Sequence, residues 1–167
     1  IKHNIPVTQT VMGYSTMKRD HSHFAGQIGG LGGKNTNDLA KETDLAIAVG
    51  TKLADFTTGS WANFENEKFK LVSINVSRFD ANKHLAQAVV GDAKVSLIEL
   101  SKALGDWKLG DEWNETSPRE LKIWNEHIDK ESAPTNQEVP SYVQVIGAIY
   151  RNSEPTDIAV TAAGGLV

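Results

Sequence analysis

Leu45-Ala46-Ile47-Ala48-Val49-Gly50 is an unbroken apolar run that ends in a glycine and leads into the polar segment 51–60. A continuous run is typical of a strand that is covered on both faces, as in a parallel sheet with helices on each side. Ligands of such sheets bind outside the carboxyl ends of the strands. The run therefore predicts a buried parallel strand, and it predicts that residues 50–60 face any small-molecule site.

Strands and helices alternate along the first part of the chain. The hydrophobic pattern predicts four strands, at 5–11, 45–49, 70–76 and 88–90. Polar residues at 35–38 are predicted to cap a short helix that runs to Glu42, and Asp92 is predicted to cap a longer one. The longer helix carries one apolar stripe at helical spacing, formed by Ala93, Leu97, Leu100 and Leu104. This alternation predicts an α/β fold, a doubly wound, Rossmann-like parallel sheet, with residues 12–34 as a long loop.

The pattern changes after residue 105. Residues 105–117 have no periodicity, and Ser117-Pro118-Arg119-Glu120 is a capping box that predicts the start of a helix. Apolar spacing predicts another helix at 142–149, and an apolar strand at 157–161 runs into Gly164-Gly165. We expect three parts: the C-terminal part of a central domain at 1–105, a linker with a helix at 106–134, and the truncated start of a second α/β domain at 135–167.

The composition is that of a globular protein, because 40% of the 167 residues are hydrophobic and 23% are charged. The formal charge of −4 gives no electrostatic reason to expect nucleic acid or an anionic membrane as a partner. The absence of cysteine excludes disulfides and thiolate metal sites, and it fits a reducing cytoplasm. The chain begins without methionine and ends just after a Gly-Gly pair, so we expect a piece of a longer protein.

A glycine-rich stretch, Gly29-Gly30-Leu31-Gly32-Gly33-Lys34, invites comparison with phosphate-binding loops. The dinucleotide fingerprint fails because Asn35 stands where its last glycine or alanine is needed. The P-loop pattern fails because Ile28 occupies its first glycine position and Asn35 its Ser/Thr position. Two interpretations stay open: a loop at a ligand or domain interface, or a mobile loop.

Few other residues suggest chemistry. His21 and His23 are two residues apart without a third candidate ligand nearby, so we expect an exposed polar pair and no metal site. Asp55 and Asp80 each follow a predicted strand, which leaves turn formation and ligand contact as alternatives. No residue of the chain is assigned a catalytic role.

Three segments together resemble one family. They are Ala48 to Gly59, Leu71 to Val76 followed by Asp80, and Val89-Val90-Gly91-Asp92-Ala93-Lys94. They are similar to the central domain of thiamine-diphosphate-dependent enzymes of the acetolactate synthase type, over about residues 1–105. Residues 55–61, 73–76 and 79–80 resemble more closely the branch that opens a trihydroxycyclohexane-1,2-dione to 5-deoxy-glucuronate in myo-inositol breakdown.

Residues 161–166 resemble the start of the family's diphosphate-binding domain, which implies that the cofactor is contacted by the backbone of Gly164, Gly165 and Leu166. The resemblance implies thiamine diphosphate and Mg²⁺ as cofactors of the full-length enzyme, while FAD is not expected. In the family, the activating glutamate and the Mg²⁺ motif lie in other segments, so we expect the chain alone to be inactive. The resemblance also implies that the full-length protein is a cytoplasmic homodimer or homotetramer that acts on a small molecule.

Two alternatives stay open at this point. The first is an acetolactate-synthase-like carboligase, which a bound flavin would favour. The second is a nucleotide-binding module without catalysis, against which the failed glycine fingerprint argues.

Overall fold

A computed structural model of the chain describes residues 2–160. The chain divides into two compact units, residues 1–121 and 122–167. The strands are β1 Val7–Gln9, β2 Phe24–Gln27, β3 Leu45–Val49, β4 Lys70–Asn75 and β5 Gln87–Val90. The α-helices are α1 Lys34–Glu42, α2 Asp55–Thr58, α3 Arg78–Ala81, α4 Ala93–Leu104, α5 Asp111–Glu131 and α6 Tyr142–Asn152.

All strand pairs among the described residues are parallel, and α-helices separate β2, β3, β4 and β5 along the chain, which confirms the α/β class. β3, β4 and β5 form one sheet in that order, and β1 and β2 form a second sheet. The register of the larger sheet pairs Leu45 with Lys70 and Val72 with Gln87. The four strands predicted before residue 105 are found, although 5–11 shortens to three residues.

The core of the first unit lies on β2, α1 and β4. Its buried apolar side chains are Phe24, Ala25, Ile28, Leu39, Ala40, Ala48, Leu71, Ile74 and Ala81. β3 is less covered than its apolar run predicts, because Leu45 is 50% exposed and Val49 is 37% exposed. The reason is that β3 pairs with one strand, β4, and is an edge of its sheet in the part of the chain that the structure describes.

β2 lies inside the stretch that was predicted to be a loop. The hydrophobic pattern does not predict this strand, because the strand is four residues long and is interrupted by Gly26. Gly26 has a φ of +107°, and a Cβ there would lie 2.2 Å from the Thr36 Oγ1 atom. The same Thr36 hydroxyl donates a hydrogen bond to the Ala25 carbonyl at 2.8 Å, so α1 packs directly on β2.

The predicted cap of α1 is wrong. The helix begins at Lys34 after Gly33, which provides no side-chain cap. Asn35 and Thr36 are buried instead, and both donate to the Ala25 carbonyl. Contact with β2 therefore turns these polar side chains inward, where they cannot cap the helix.

α4 confirms the prediction made from Asp92, whose Oδ1 accepts a hydrogen bond from the Val95 N–H at 2.9 Å. α5 corrects the prediction that a helix starts at Ser117, because it begins at Asp111 and continues through Pro118. Pro118 removes one backbone hydrogen bond from the helix. The other hydrogen bonds of this 21-residue helix keep the turn before Pro118 helical.

The second unit contains α6, which confirms the helix predicted at 142–149. A capping box starts it, since the Ser141 and Gln144 side chains each bond to the backbone of the other residue. The described part of the predicted strand at 157–161, residues 157–160, is not a strand. Its apolar residues Ile158 and Val160 are exposed, and no described strand is available there to pair with them.

No helix among residues 2–160 combines the length and the apolar character needed to cross a membrane. The domain boundaries at 105 and 134 stay predictions.

Candidate functional site

The carboxyl ends of β3, β4 and β5 meet at one edge of their sheet. Gly50 follows β3 and donates its N–H to the Ile74 carbonyl at 2.8 Å. Asn75 ends β4, where its buried side chain donates to the Thr51 carbonyl at 3.1 Å and accepts from the Ser77 N–H at 2.9 Å. Asn75 therefore ties together the two loops that leave β3 and β4. Sequence reasoning missed this role, because a single asparagine at a strand end carries no pattern.

Two aspartates at this edge differ in their surroundings. The Lys83 ammonium lies 2.7 Å from the Asp80 carboxylate, and Lys83 together with Ser77 holds the pKa of Asp80 below its usual range. Asp80 is thus engaged within its own turn, which favours the structural alternative. Asp55 lies in the first turn of α2 with its side chain exposed, so its carboxylate faces solvent at the edge.

The glycine-rich loop follows β2 and packs against α2. All four of its glycine N–H groups have partners within the protein: Gly29 donates to Asn37 Oδ1 at 2.9 Å, Gly30 to Phe56 O at 2.6 Å, Gly32 to Gly29 O at 2.9 Å and Gly33 to Gln27 O at 3.0 Å. A phosphate cradle needs backbone N–H groups that point at the ligand. In this conformation the loop packs against other parts of the protein, and none of its four glycine N–H groups is free to bind a phosphate.

Asn37 of α1 holds this loop in place. Its side chain accepts from the Gly29 N–H and donates to the Gly29 carbonyl at 3.0 Å. The Asn63 side chain donates to the same Asn37 oxygen at 3.1 Å. Gly29 has a φ of +108°, and a Cβ there would lie 2.3 Å from the Phe56 carbonyl oxygen. Only a glycine fits this approach between the loops that follow β2 and β3.

The histidine pair of the 12–34 segment lies just before β2. The His21 and His23 rings are 5.7 Å apart in an edge-to-face arrangement, and the Ser22 hydroxyl lies 3.0 Å from His23 Nδ1. His23 Nε2 is buried without a hydrogen-bond partner. Burial, followed by the nearby positive charges, lowers the pKa of His23. Among residues 2–160 no group of three or more His, Asp or Glu side chains could hold a metal ion.

Two of the cavities in the described part of the chain lie near strand ends. One of about 230 Å³ opens at the carboxyl end of β1 and is lined by Gln9, Tyr14, Ser15, Met17, Lys18 and Arg19. The other, of about 300 Å³, opens before the start of β3 and is lined by Glu42, Asp44, Glu112, Trp113 and Thr116. Neither cavity is lined by residues 50–60, which the sequence predicted to face a ligand.

The three residues assigned to the cofactor, Gly164, Gly165 and Leu166, lie outside the described residues. Their contact with the diphosphate stays a prediction.

Comparison with known proteins assigns this fold to a family. Residues 1–100 match the family model described as "Thiamine pyrophosphate enzyme, central domain". The chain belongs to this family. The match covers β1 to β5, the whole of both sheets, and it confirms the resemblance found in the sequence.

Three curated relatives carry one name, 3D-(3,5/4)-trihydroxycyclohexane-1,2-dione hydrolase. The protein of Clostridium perfringens is 36% identical over 127 residues, which are 76% of this chain and 20% of that protein. That of Geobacillus thermodenitrificans is 38% identical over 131 residues, 77% of this chain and 20% of that protein. Hydrolase 2 of Bacillus cereus is 43% identical over 100 residues, 60% of this chain and 16% of that protein. The chain thus spans about a fifth of the length of the curated relatives it matches.

Proposed function

We propose that the chain is the central segment of a thiamine-diphosphate-dependent hydrolase that opens trihydroxycyclohexane-1,2-dione to 5-deoxy-glucuronate in myo-inositol breakdown. The observation that carries this proposal is 36% to 43% identity, over 100 to 131 residues, to relatives named as hydrolases of this dione. Both parallel sheets lie within the matched region, so the likeness covers a folded unit as well as isolated motifs.

Within the full-length protein this segment acts as a scaffold. Several of its polar groups are engaged internally: Asn75 joins two loops, Asp80 pairs with Lys83, and the amides of the glycine-rich loop bond within the unit. The same edge leaves large apolar side chains in solvent, with Phe56, Val76 and Phe79 more than 70% exposed. Exposed apolar groups of this size are typical of contact surfaces, which supports burial against the rest of the full-length protein.

The proposed cofactors are thiamine diphosphate and Mg²⁺. Thiamine diphosphate would supply a nucleophilic carbon. It would also accept the electron pair of the C–C bond that breaks. This chain would contribute the backbone N–H groups of Gly164, Gly165 and Leu166, which would donate hydrogen bonds to the diphosphate. Amides at glycines can approach phosphate oxygens closely. We further propose a cytoplasmic homodimer or homotetramer without a nucleic-acid or membrane partner.

The test is an assay of the full-length protein with thiamine diphosphate, Mg²⁺ and the cyclic dione. We expect the protein to release one equivalent of acid per molecule of dione, and only when the cofactor is present. Condensation of pyruvate with no action on the dione would instead identify an acetolactate-synthase-like carboligase. The 167-residue chain serves as the matched control and is expected to show no turnover under the same conditions.

A further inference from the structure

His3 connects two segments that lie far apart in the sequence. Its ring Nδ1 atom lies 2.7 Å from the Trp107 carbonyl oxygen, and its ring Nε2 atom lies 2.8 Å from the Ser101 hydroxyl. Its backbone carbonyl accepts a hydrogen bond from the Leu109 N–H at 2.9 Å. A residue that precedes β1 is therefore hydrogen-bonded both to the end of α4 and to the segment that follows α4.

The segment that leads from α4 into α5, residues 105–110, is called the exit segment here. It begins and ends with glycine, and its residues 107–110 are neither helix nor strand. Its N–H groups at Gly105 and Trp107 bond back to the last turn of α4. Among residues 2–160, the hydrogen bonds that join residues 107–109 to a distant part of the chain all involve His3. The path of the exit segment therefore depends on this histidine.

The partners of the His3 ring fix the role of each ring nitrogen. A carbonyl oxygen can only accept, so Nδ1 carries a hydrogen and donates it to Trp107. In the neutral ring, Nε2 then accepts from the Ser101 hydroxyl. Ser101 belongs to α4, so the bond from Nδ1 is the ring contact that reaches the exit segment.

A serine next to a histidine that a third group orients is also the arrangement of an activated nucleophile. Such a site needs hydrogen-bond donors where negative charge develops. Ser101 lies in the last turn of α4, and the free backbone groups at a helix C-terminus are carbonyls, which repel negative charge. This position disfavours catalysis and favours a mechanical role for the pair.

We propose that His3 is a tether that fastens the exit segment to the chain ahead of β1, so that these two segments move together. Two bonds from the ring and one from the backbone act from a single residue, and a histidine ring has only two side-chain torsions to order. In a longer polypeptide, a displacement of the chain before β1 would be passed to the start of α5. The proposal does not depend on which reaction that polypeptide catalyses.

The test is residue-resolved amide hydrogen exchange on the full-length protein and on three variants at His3. His3→Asn keeps a donor at the position of Nδ1, His3→Gln places its donor at the position of Nε2, and His3→Ala removes both. We expect the Leu109 amide to exchange about ten-fold faster in His3→Ala and His3→Gln, and within about two-fold of the unaltered protein in His3→Asn. The Leu109 amide is informative because every variant keeps the backbone carbonyl to which it bonds.

The Trp107 amide is the internal control, because it bonds to Leu104 in α4 and is expected to exchange at the same rate in all variants. Cleavage by trypsin after Lys108, which is exposed, is a second measurement and is expected to be faster in His3→Ala and His3→Gln alone.

Three outcomes would overturn the proposal. The first is unchanged Leu109 exchange in His3→Ala, and the second is equal acceleration in His3→Asn and His3→Ala. The third is faster exchange at both Leu109 and Trp107, since His3 would then stabilise the end of α4 as well and would not act as a local tether. None of these measurements needs turnover, so a failure of the proposed reaction would remain distinguishable.

Discussion

At the scale of single residues, Gly29 shows how one backbone position can decide the contact between two loops. Its φ is positive, and its missing side chain lets the loop after β2 meet the Phe56 carbonyl of α2. The Asn37 side chain then bonds both polar groups of its backbone. A motif that looks like a phosphate loop in the sequence is therefore explained by packing.

We expect Gly29→Ala to lower the free energy of unfolding by about 3 kcal/mol, because it combines backbone strain with a clash against Phe56. Gly50→Ala is the matched control, since Gly50 also has a positive φ but nothing lies within 4 Å of a Cβ there. The control is expected to cost about 1 kcal/mol. Urea denaturation of both variants measures the difference, and equal losses would contradict the role of the close approach.

His23 should make stability depend on pH. Its pKa is lowered by burial, so the unfolded chain binds the proton more readily than the folded chain. The stabilising effect of the neutral ring is complete above the ordinary histidine pKa and is lost as the pH falls toward the lowered folded value. We expect His23→Gln to flatten the dependence of the urea midpoint between about pH 7 and about pH 5.

His127→Gln is the control for this measurement, because His127 is exposed on α5. An unchanged pH profile in His23→Gln, or an equal flattening in the control, would refute the assignment.

At the scale of elements, α4 owes its start to one side chain. Asp92 accepts a hydrogen bond from Val95 N–H and places a negative charge at the helix N-terminus. The helix is 12 residues long and has no fully buried residue, so little packing compensates for a lost cap.

We expect Asp92→Ala to reduce the free energy of unfolding by about 1 kcal/mol in thermal or urea denaturation. Asp106→Ala removes the same charge just beyond the C-terminal end of α4, where an acid is unfavourable, and is expected to be neutral or slightly stabilising. Similar losses in the two variants would show that total charge, and not capping, is responsible.

At the scale of the whole molecule, the unit of residues 1–121 holds two parallel sheets, and Asn75 and Asp80 at the carboxyl edge of the larger sheet are hydrogen-bonded within the protein. A Rossmann-like fold alone would suggest a nucleotide site at that edge. All four amides of the glycine-rich loop are bonded within the unit, so this loop presents no free glycine N–H group to a nucleotide phosphate.

We expect ADP and FAD to bind the chain with dissociation constants no tighter than about 1 mM, which corresponds to about −4 kcal/mol. The donors that would hold their phosphates are already bonded. Isothermal titration calorimetry measures this directly. Micromolar binding of either nucleotide would revive the interpretation of the chain as a ligand-binding module.

Local signals in the sequence determined the α/β class, the strands β3, β4 and β5, the helices α4 and α6, the Asp92 cap and the family. These features depend on hydrophobic periodicity and capping within a few residues, which the sequence displays directly. The structure confirmed the elements with small changes in their bounds, and the match to the family model confirmed the family.

Tertiary contacts alone decided the rest. β2 exists because Gly26 lets α1 approach it, Asn35 and Thr36 face inward because β2 offers a carbonyl, and the glycine amides are used because α2 and Asn37 meet the loop. The partners of Gly29, Gly30, Asn35 and Thr36 lie between 8 and 26 residues away in the chain, so no local pattern encodes them. The physical reason is that a hydrogen-bonding group shows in the sequence that it needs a partner, while only the folded chain determines which partner it finds.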